Sequence, residues 1–464
     1  MPASSKSAWI PLLCFALALR LPRAVLRWTE DTWAYLAYDA EMSQAFEHGQ
    51  FWQGLTHFSG LHPPGWGLFH NFLEWSLPVP MLLLLASVAC SVGAVLLAGR
   101  LGWMVGFLVA TSPLQIAYAA ELNNYPAMAL CMAWLWWARE RAEQSDSPSW
   151  HLAFATALGA WVHLLVGFFG LIAAWGLGRR HRWTNVFRVA GVLAIAMLPL
   201  LPNIVQLLGS ESTFSQPPYK AGLVFSDFTD RFGWIGFLLL IPAGFGLKNR
   251  PQLAKTAGAC VVLILGLQLS GIAAPHQFPY FLALSVPFAL LVQSGAQGPV
   301  LKALVLGVIT LHSVSLSRMS LAQVQAIGEN QVIQRGVDIA LAEAQPGDGI
   351  YLLRKRHRPD DDKRGISAQL ARVSPWNRLP RVRPYEFPMV DHRHGQPRGV
   401  GDLTIYVNDH PRKTILQAVQ AHNRLFLVVS DAKGDPRFGS ELSTLVGADP
   451  EPVGPDDLYR LQRN

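Results

Sequence analysis

The chain has 464 residues, of which 51% are hydrophobic and only 15% charged, and it carries 16 tryptophans. The apolar residues gather in runs, which excludes a single large water-soluble core and marks a polytopic α-helical membrane protein. The net charge of +7 suits basic loops that meet anionic lipid, and nucleic acid is a poor explanation for it.

The first apolar run, Ala8 to Leu19, is followed by Arg20-Leu21-Pro22-Arg23 with no small-residue cleavage site. It reads as a retained first helix rather than a signal peptide. Spanning helices are expected at about 8–25, 79–98, 101–118, 124–138, 150–163, 164–178, 186–206, 232–248, 253–273, 278–294 and 300–316. That makes about eleven, several of them short. The stretch 150–178 is read as two helices with Trp161-Val162-His163 at the turn; one tilted helix would invert everything after it. With the N terminus inside, the split puts Arg100, Arg139, Arg141, the Arg179–Arg182 cluster, Lys248, Arg250, Lys255 and Lys302 on the cytoplasmic side. The positive-inside rule therefore supports it. Arg20, Arg23 and Arg27 fall at the outer end of helix one, either meeting phosphate or snorkelling.

This topology places outside the loop of about 27–78, a short loop at Tyr118–Asn124, a loop of about 207–231, and the tail. The aromatic fragments Gly49–Trp52 and Phe69–Trp75 look like helices lying in the interface. The domain division is 1–316, a transmembrane catalytic domain, and 317–464, a small extracytoplasmic α/β domain. In the latter, Gly349–Leu353, Leu403–Val407 and Leu425–Val429 read as strands, and Gln331–Ala344 as a helix ending at Pro346-Gly347-Asp348. Cys14, Cys90, Cys131 and Cys260 fall in apolar runs and read as small core residues, without disulfide or metal spacing.

Several residues could carry chemistry. Glu30 and Asp31 form an acid pair just after helix one. Transfer of a glycosyl group to a hydroxyl or amine needs a carboxylate to take the acceptor's proton. Thr29-Glu30-Asp31-Thr32 is also good helix-capping sequence. In His62-Pro63-Pro64-Gly65-Trp66 the prolines stiffen the backbone, which could hold His62 in one place or simply make a turn. Glu121 sits between two apolar helices, where an acid is costly and marks function or a structural ion pair. His163 and His276 point to the same outer side, as phosphate or acceptor contacts or as interfacial histidines. Lys220 and Arg231 are the cationic candidates of the third outer loop. Asp360-Asp361-Asp362 lies among six basic residues and reads as a solvated, salt-bridged loop. There is no Walker, Rossmann or zinc pattern, so no metal or cofactor is expected. The absence of a nucleotide-binding domain points to a lipid-linked donor.

On these residues the chain resembles the multi-spanning GT-C glycosyltransferases. It is most similar to the bacterial protein O-mannosyltransferase-like family that includes the aminoarabinose transferases of lipid A. The resemblance rests on Glu30-Asp31, on His62-Pro63-Pro64-Gly65-Trp66, on Ser112-Pro113-Leu114 leading through Tyr118 to Glu121 and Tyr125, and on His163. It is good over about the first 180 residues and thinner beyond. Three positions depart from the family. The acid pair is inverted, with Asp31 favoured as the base; Asn123 replaces a common Arg; and His276-Gln277-Phe278 stands where an Arg-Tyr pair is usual.

The resemblance implies inverting transfer of a sugar from a polyprenyl-phosphate donor to a lipid, glycan or protein acceptor, the lipid phosphate leaving. The catalytic candidates are then Asp31, Glu30 and Glu121, and the substrate contacts His62, Tyr125, His163, Lys220, Arg231 and His276. A bacterial inner-membrane enzyme with a periplasmic site is the expectation. The alternatives are a transporter or flippase of lipid-linked glycans, and an inactive membrane scaffold.

Overall fold

The computed structural model describes residues 9–23, 42, 45–46, 48–56, 63–76, 80–120, 123–145, 149–209, 234–269, 278–325, 339–340, 343–345, 347–354, 398–400, 403–407, 419–430, 450–453 and 458–462. It falls into two compact units, Met1–Val25 with Phe51–Val324, and Leu26–Gln50 with Gln325–Asn464.

The first unit is helical. Its elements are α1 (Trp9–Arg20), α2 (Phe51–Thr56), α3 (Gly65–Ser76), α4 (Pro80–Gly99), α5 (Trp103–Ala110), α6 (Pro113–Ala117), α7 (Tyr125–Gln144), α8 (Trp150–Val162), α9 (Leu164–Trp175), α10 (Arg179–Met197), α11 (Leu201–Gly209), α12 (Leu240–Asn249), α13 (Pro251–Leu269), α14 (Ser285–Gly295) and α15 (Pro299–Gln325). The eleven expected spans resolve into unequal pieces. Among the described residues three helices, Leu82–Gly99, Arg182–Val205 and Pro251–Gln268, are long and apolar enough to cross a membrane; six further apolar helices have 10–17 residues. The stretch 101–118 is two helices rather than one. Pro113 has no N–H to continue the ladder, and Ser112 caps α6 by accepting from the Gln115 N–H at 3.5 Å. Prolines also fall in the 3₁₀ turns Leu198–Leu200 and Phe278–Leu284, which interrupt two other expected helices.

The chain reverses at His163. A side chain at Gly159 would run into Val166 and one at Gly170 into Thr156, while Gly167 faces Ala160. These pairs lie symmetrically about residue 163, as only an antiparallel hairpin allows. Glycine lets the two helices approach closely enough to share one packed seam. The stretch 150–178 is therefore two helices with His163 between them.

Arg20 neither snorkels nor faces outward. It is buried, donating from Nε to Ser91 Oγ at 2.8 Å and from Nη1 to the Ala110 carbonyl at 3.1 Å, and so ties α1 to α4 and the end of α5. Of the cysteines, Cys131 and Cys260 are buried, but Cys14 is exposed on α1 and is not a core residue. Successive helix positions are turned by about 100°, and α1 is apolar on every side, so its sequence does not mark which face is buried. Near the C-terminal end of α7, Glu140 is buried and pairs with both Arg139 (2.6 Å) and Arg250, while Arg139 reaches the Gly176 carbonyl at 3.3 Å. Arg100 and Arg141 both stack on Trp137 nearby, and Arg182 on Trp175. Five arginines thus collect at one end of α7, whose 20 residues rise about 30 Å, the thickness of a bilayer's hydrocarbon core.

The second unit holds a six-stranded sheet of order β2-β3-β1-β4-β6-β5, with β1 Gly349–Arg354, β2 Arg398–Val400, β3 Leu403–Val407, β4 Arg424–Ser430, β5 Pro450–Pro452 and β6 Leu458–Gln462. β1 runs parallel to β3 and β4, with Ile350 opposite both Ile405 and Phe426; the outer strands are antiparallel. Consecutive Leu425, Phe426 and Leu427 are all buried, the mark of a strand covered on both faces. The three central strands are those expected from sequence. β2, β5 and β6 were not anticipated: β2 and β5 have three residues each, and β5 holds two prolines that only an edge tolerates. Gly347, at φ +88°, turns the chain into β1. There Asp348 accepts from the Gln345 N–H at 2.7 Å and from Arg424 Nε at 2.9 Å, joining the start of β1 to the start of β4. Most of the expected helix Gln331–Ala344 lies outside the described residues.

Candidate functional site

The described parts of the sequence motifs converge at the N-terminal end of α7, opposite the arginines. α7 begins where Asn123 Oδ1 accepts the Tyr125 N–H at 3.1 Å, an early turn that substitutes for a missing intrahelical partner. The neighbouring Asn124 donates from Nδ2 to the Val162 carbonyl at 2.7 Å. That carbonyl belongs to the last turn of α8, where no helical N–H reaches it. Asn124 therefore pins the tip of the α8–α9 hairpin to the start of α7.

His163 occupies the tip. Its extended backbone ends α8 and starts α9, and its Nδ1 accepts the Leu165 N–H at 3.3 Å. An imidazole is thus the N-cap of α9, and the ring is fixed by the backbone it caps. Around it stand three tyrosines. Tyr125 lies 6.3 Å from His163 by ring centroids, Tyr280 lies 5.2 Å away edge-on, and Tyr118 packs edge-on against Tyr125 at 5.2 Å. All four rings are buried. Trp136, one face of α7 further along, donates from Nε1 to the Ala283 carbonyl at 2.9 Å and holds the 3₁₀ turn that carries Tyr280.

The proline motif of the first loop comes to the same place. Pro63 and Pro64 are buried and α3 starts directly after them, the Pro64 carbonyl accepting the Leu68 N–H at 2.8 Å. A side chain at Gly65 would strike the Trp161 carbonyl, so the first turn of α3 rests on the backbone two residues before His163. Trp66 is buried, stacks on Phe69 and packs at a tilt against His70.

Of the residues nominated from sequence, Tyr125 and His163 are brought together here. Asp31, Glu30, Glu121, His62, Lys220, Arg231 and His276 lie outside the described residues. Asn123, two residues after Glu121, and Pro63, directly after His62, are both within or beside the cluster. Tyr280 and Asn124 are the members that sequence reasoning passed over. Tyr280 sat in view, four residues after His276, but a tyrosine in an aromatic-Pro run carries no signal of its own. Asn124 looked like one more loop amide. Among the described residues the cluster offers phenol hydroxyls, an imidazole and aromatic faces. These groups can orient hydroxyls and stack on a ring, but they include no carboxylate to serve as a strong base at neutral pH.

Neither a protein-family model nor a curated protein sequence matches the chain. Among solved structures, the apo crystal structure of ArnT from Cupriavidus metallidurans matches 99% of this chain and 98% of its own, with a TM-score of 0.55 and 12% sequence identity. The chain shares the overall fold of that ArnT structure. The ArnT likeness is one of architecture, and its coverage takes in the C-terminal unit as well as the apolar helices.

Proposed function

We propose that this chain is a membrane glycosyltransferase that moves a sugar from a polyprenyl-phosphate donor to an extracytoplasmic acceptor. The reading is carried by the ArnT fold over 99% of the chain. Two features support it further. The described residues on which the resemblance to GT-C enzymes rests, Pro63, Tyr118, Tyr125 and His163, gather at one end of α7, where Tyr280 joins them. The arginines gather at the other end, as they would in an inner-membrane protein whose site faces the periplasm.

In this reading Asp31 takes the proton of the acceptor hydroxyl or amine as that atom attacks the anomeric carbon from the face opposite the leaving group. The bond from the anomeric carbon to the phosphate oxygen breaks, the configuration inverts, and the lipid phosphate departs with the electron pair. Lys220, Arg231, His62 and His276 offset the charge that develops on the phosphate, and Glu30 and Glu121 complete the acid set. Tyr125 and His163 orient the sugar, with Tyr280 as a third aromatic contact. The chain uses no cofactor in this scheme.

The test is comparative mass spectrometry of glycolipids and polysaccharides from cells carrying the natural protein, a deletion, and Asp31→Asn. A fixed mass increment lost in both altered strains supports the transferase and identifies the sugar. Loss in the deletion with retention in Asp31→Asn removes Asp31 as the base. An increment present in all three strains overturns the proposal.

A further inference from the structure

A cavity of about 440 Å³ lies in the helical unit between α5, α12, α13, α14 and α15. Its wall is mostly apolar, with Leu108, Leu240, Leu265, Phe281, Phe288 and Val308 among its residues, and among the described residues it contains no lysine, arginine or carboxylate. Its volume falls within the range of sites that hold small organic molecules. The polar groups on the wall are mostly engaged already. The Thr111 hydroxyl donates to the Phe107 carbonyl at 2.9 Å, and Ser112 Oγ caps α6.

His312 is different. It is 7% exposed, it lines the cavity, and among the described residues its Nε2 has no hydrogen-bond partner. Gly236 faces it across a gap: a Cβ there would lie 3.5 Å from the imidazole Cε1 and 3.7 Å from Nε2. A buried ring nitrogen without a partner is costly in an apolar wall. With the imidazole proton on Nε2, the wall calls for an occupant that is mostly hydrocarbon and brings one neutral hydrogen-bond acceptor. A purely hydrocarbon tail satisfies the wall but leaves the nitrogen unpaired. A phosphate head group would find no cation there.

We propose that this cavity binds one ester-linked acyl chain of a membrane glycerophospholipid, with the ester carbonyl accepting a hydrogen bond from His312 Nε2–H. The bound lipid is held in addition to any donor or acceptor of a transfer reaction, and the proposal stands or falls independently of that activity.

The test uses the full-length protein in vesicles containing either a phosphatidylethanolamine with a photoactivatable acyl chain or a photoactivatable polyprenyl phosphate. After irradiation, labelled peptides are identified by mass spectrometry. The phospholipid is expected to label the segments around Phe237–Leu240 and Val308–His312. His312→Leu should reduce that labelling roughly fivefold, the worth of one net hydrogen bond, and His312→Gln, which keeps a donor, should restore most of it. Gly236→Ala should reduce it similarly, because its methyl fits in ordinary contact yet covers Nε2. Labelling that is absent, unchanged by both His312→Leu and Gly236→Ala, or obtained at these segments with the polyprenyl probe overturns the proposal.

Discussion

Two charged groups show how little of a residue's role its type alone discloses. Glu140 was one acid in a basic stretch, yet it is buried and is the shared partner of Arg139 and Arg250. Removing one member of a buried ion network leaves the others desolvated and unpaired, so Glu140→Gln should cost about 3–5 kcal/mol of stability. Thermal unfolding in detergent would show it, and an unchanged midpoint would refute it. Asp348 behaves differently because it lies in the C-terminal unit. Burial pushes its carboxyl up, but hydrogen bonds from Arg424 and the Gln345 N–H, with the charges of Arg424 and His422, outweigh that and hold it below the usual carboxylate value. A carboxyl depressed in the folded state contributes its full stability above the unfolded value and loses it as the pH falls. The starts of β1 and β4 should therefore loosen below about pH 4. Hydrogen exchange of β1 and β4 against pH would show this loosening, and Asp348→Asn should abolish the pH dependence.

Elements whose signal is local were legible in sequence. The expected runs at 79–98 and 253–273 correspond to α4 and α13, because a continuous apolar stretch needs no partner to declare itself. The strand runs around Ile350, Ile405 and Phe426 were visible for the same reason. Breaks at Pro113 and Pro199, and the edge strands β2 and β5, were not, since they depend on which backbone groups find partners. The hairpin of α8 and α9 was read from charge and is held by packing. Gly170 faces Thr156 with no space for a side chain. Gly170→Val should force the helices apart at a cost of about 1–3 kcal/mol. It should also displace His163, so its activity loss should exceed that of an equally destabilising change on the exposed side of α9, such as one at Phe168.

For the whole molecule, the proposed transfer reaction predicts a site built from distant segments. Asp31→Ala should abolish sugar transfer while leaving membrane insertion and thermal stability unchanged, and Glu121→Ala should do the same; wild-type product from both would exclude a catalytic role for these acids. The sequence by itself determined that this is an apolar, multi-helical chain with a small α/β tail, and which acids and histidines deserved notice. Those properties follow from composition and short-range pattern, which the chain carries wherever it folds. Only the tertiary structure decided that Tyr118, Tyr125, His163 and Tyr280 share one buried cluster, that Arg20 turns inward to Ser91, and that His312 faces a cavity. Each of these depends on segments from about 70 to more than 150 residues apart meeting through packing and on which buried polar groups are satisfied there, and no local pattern encodes that.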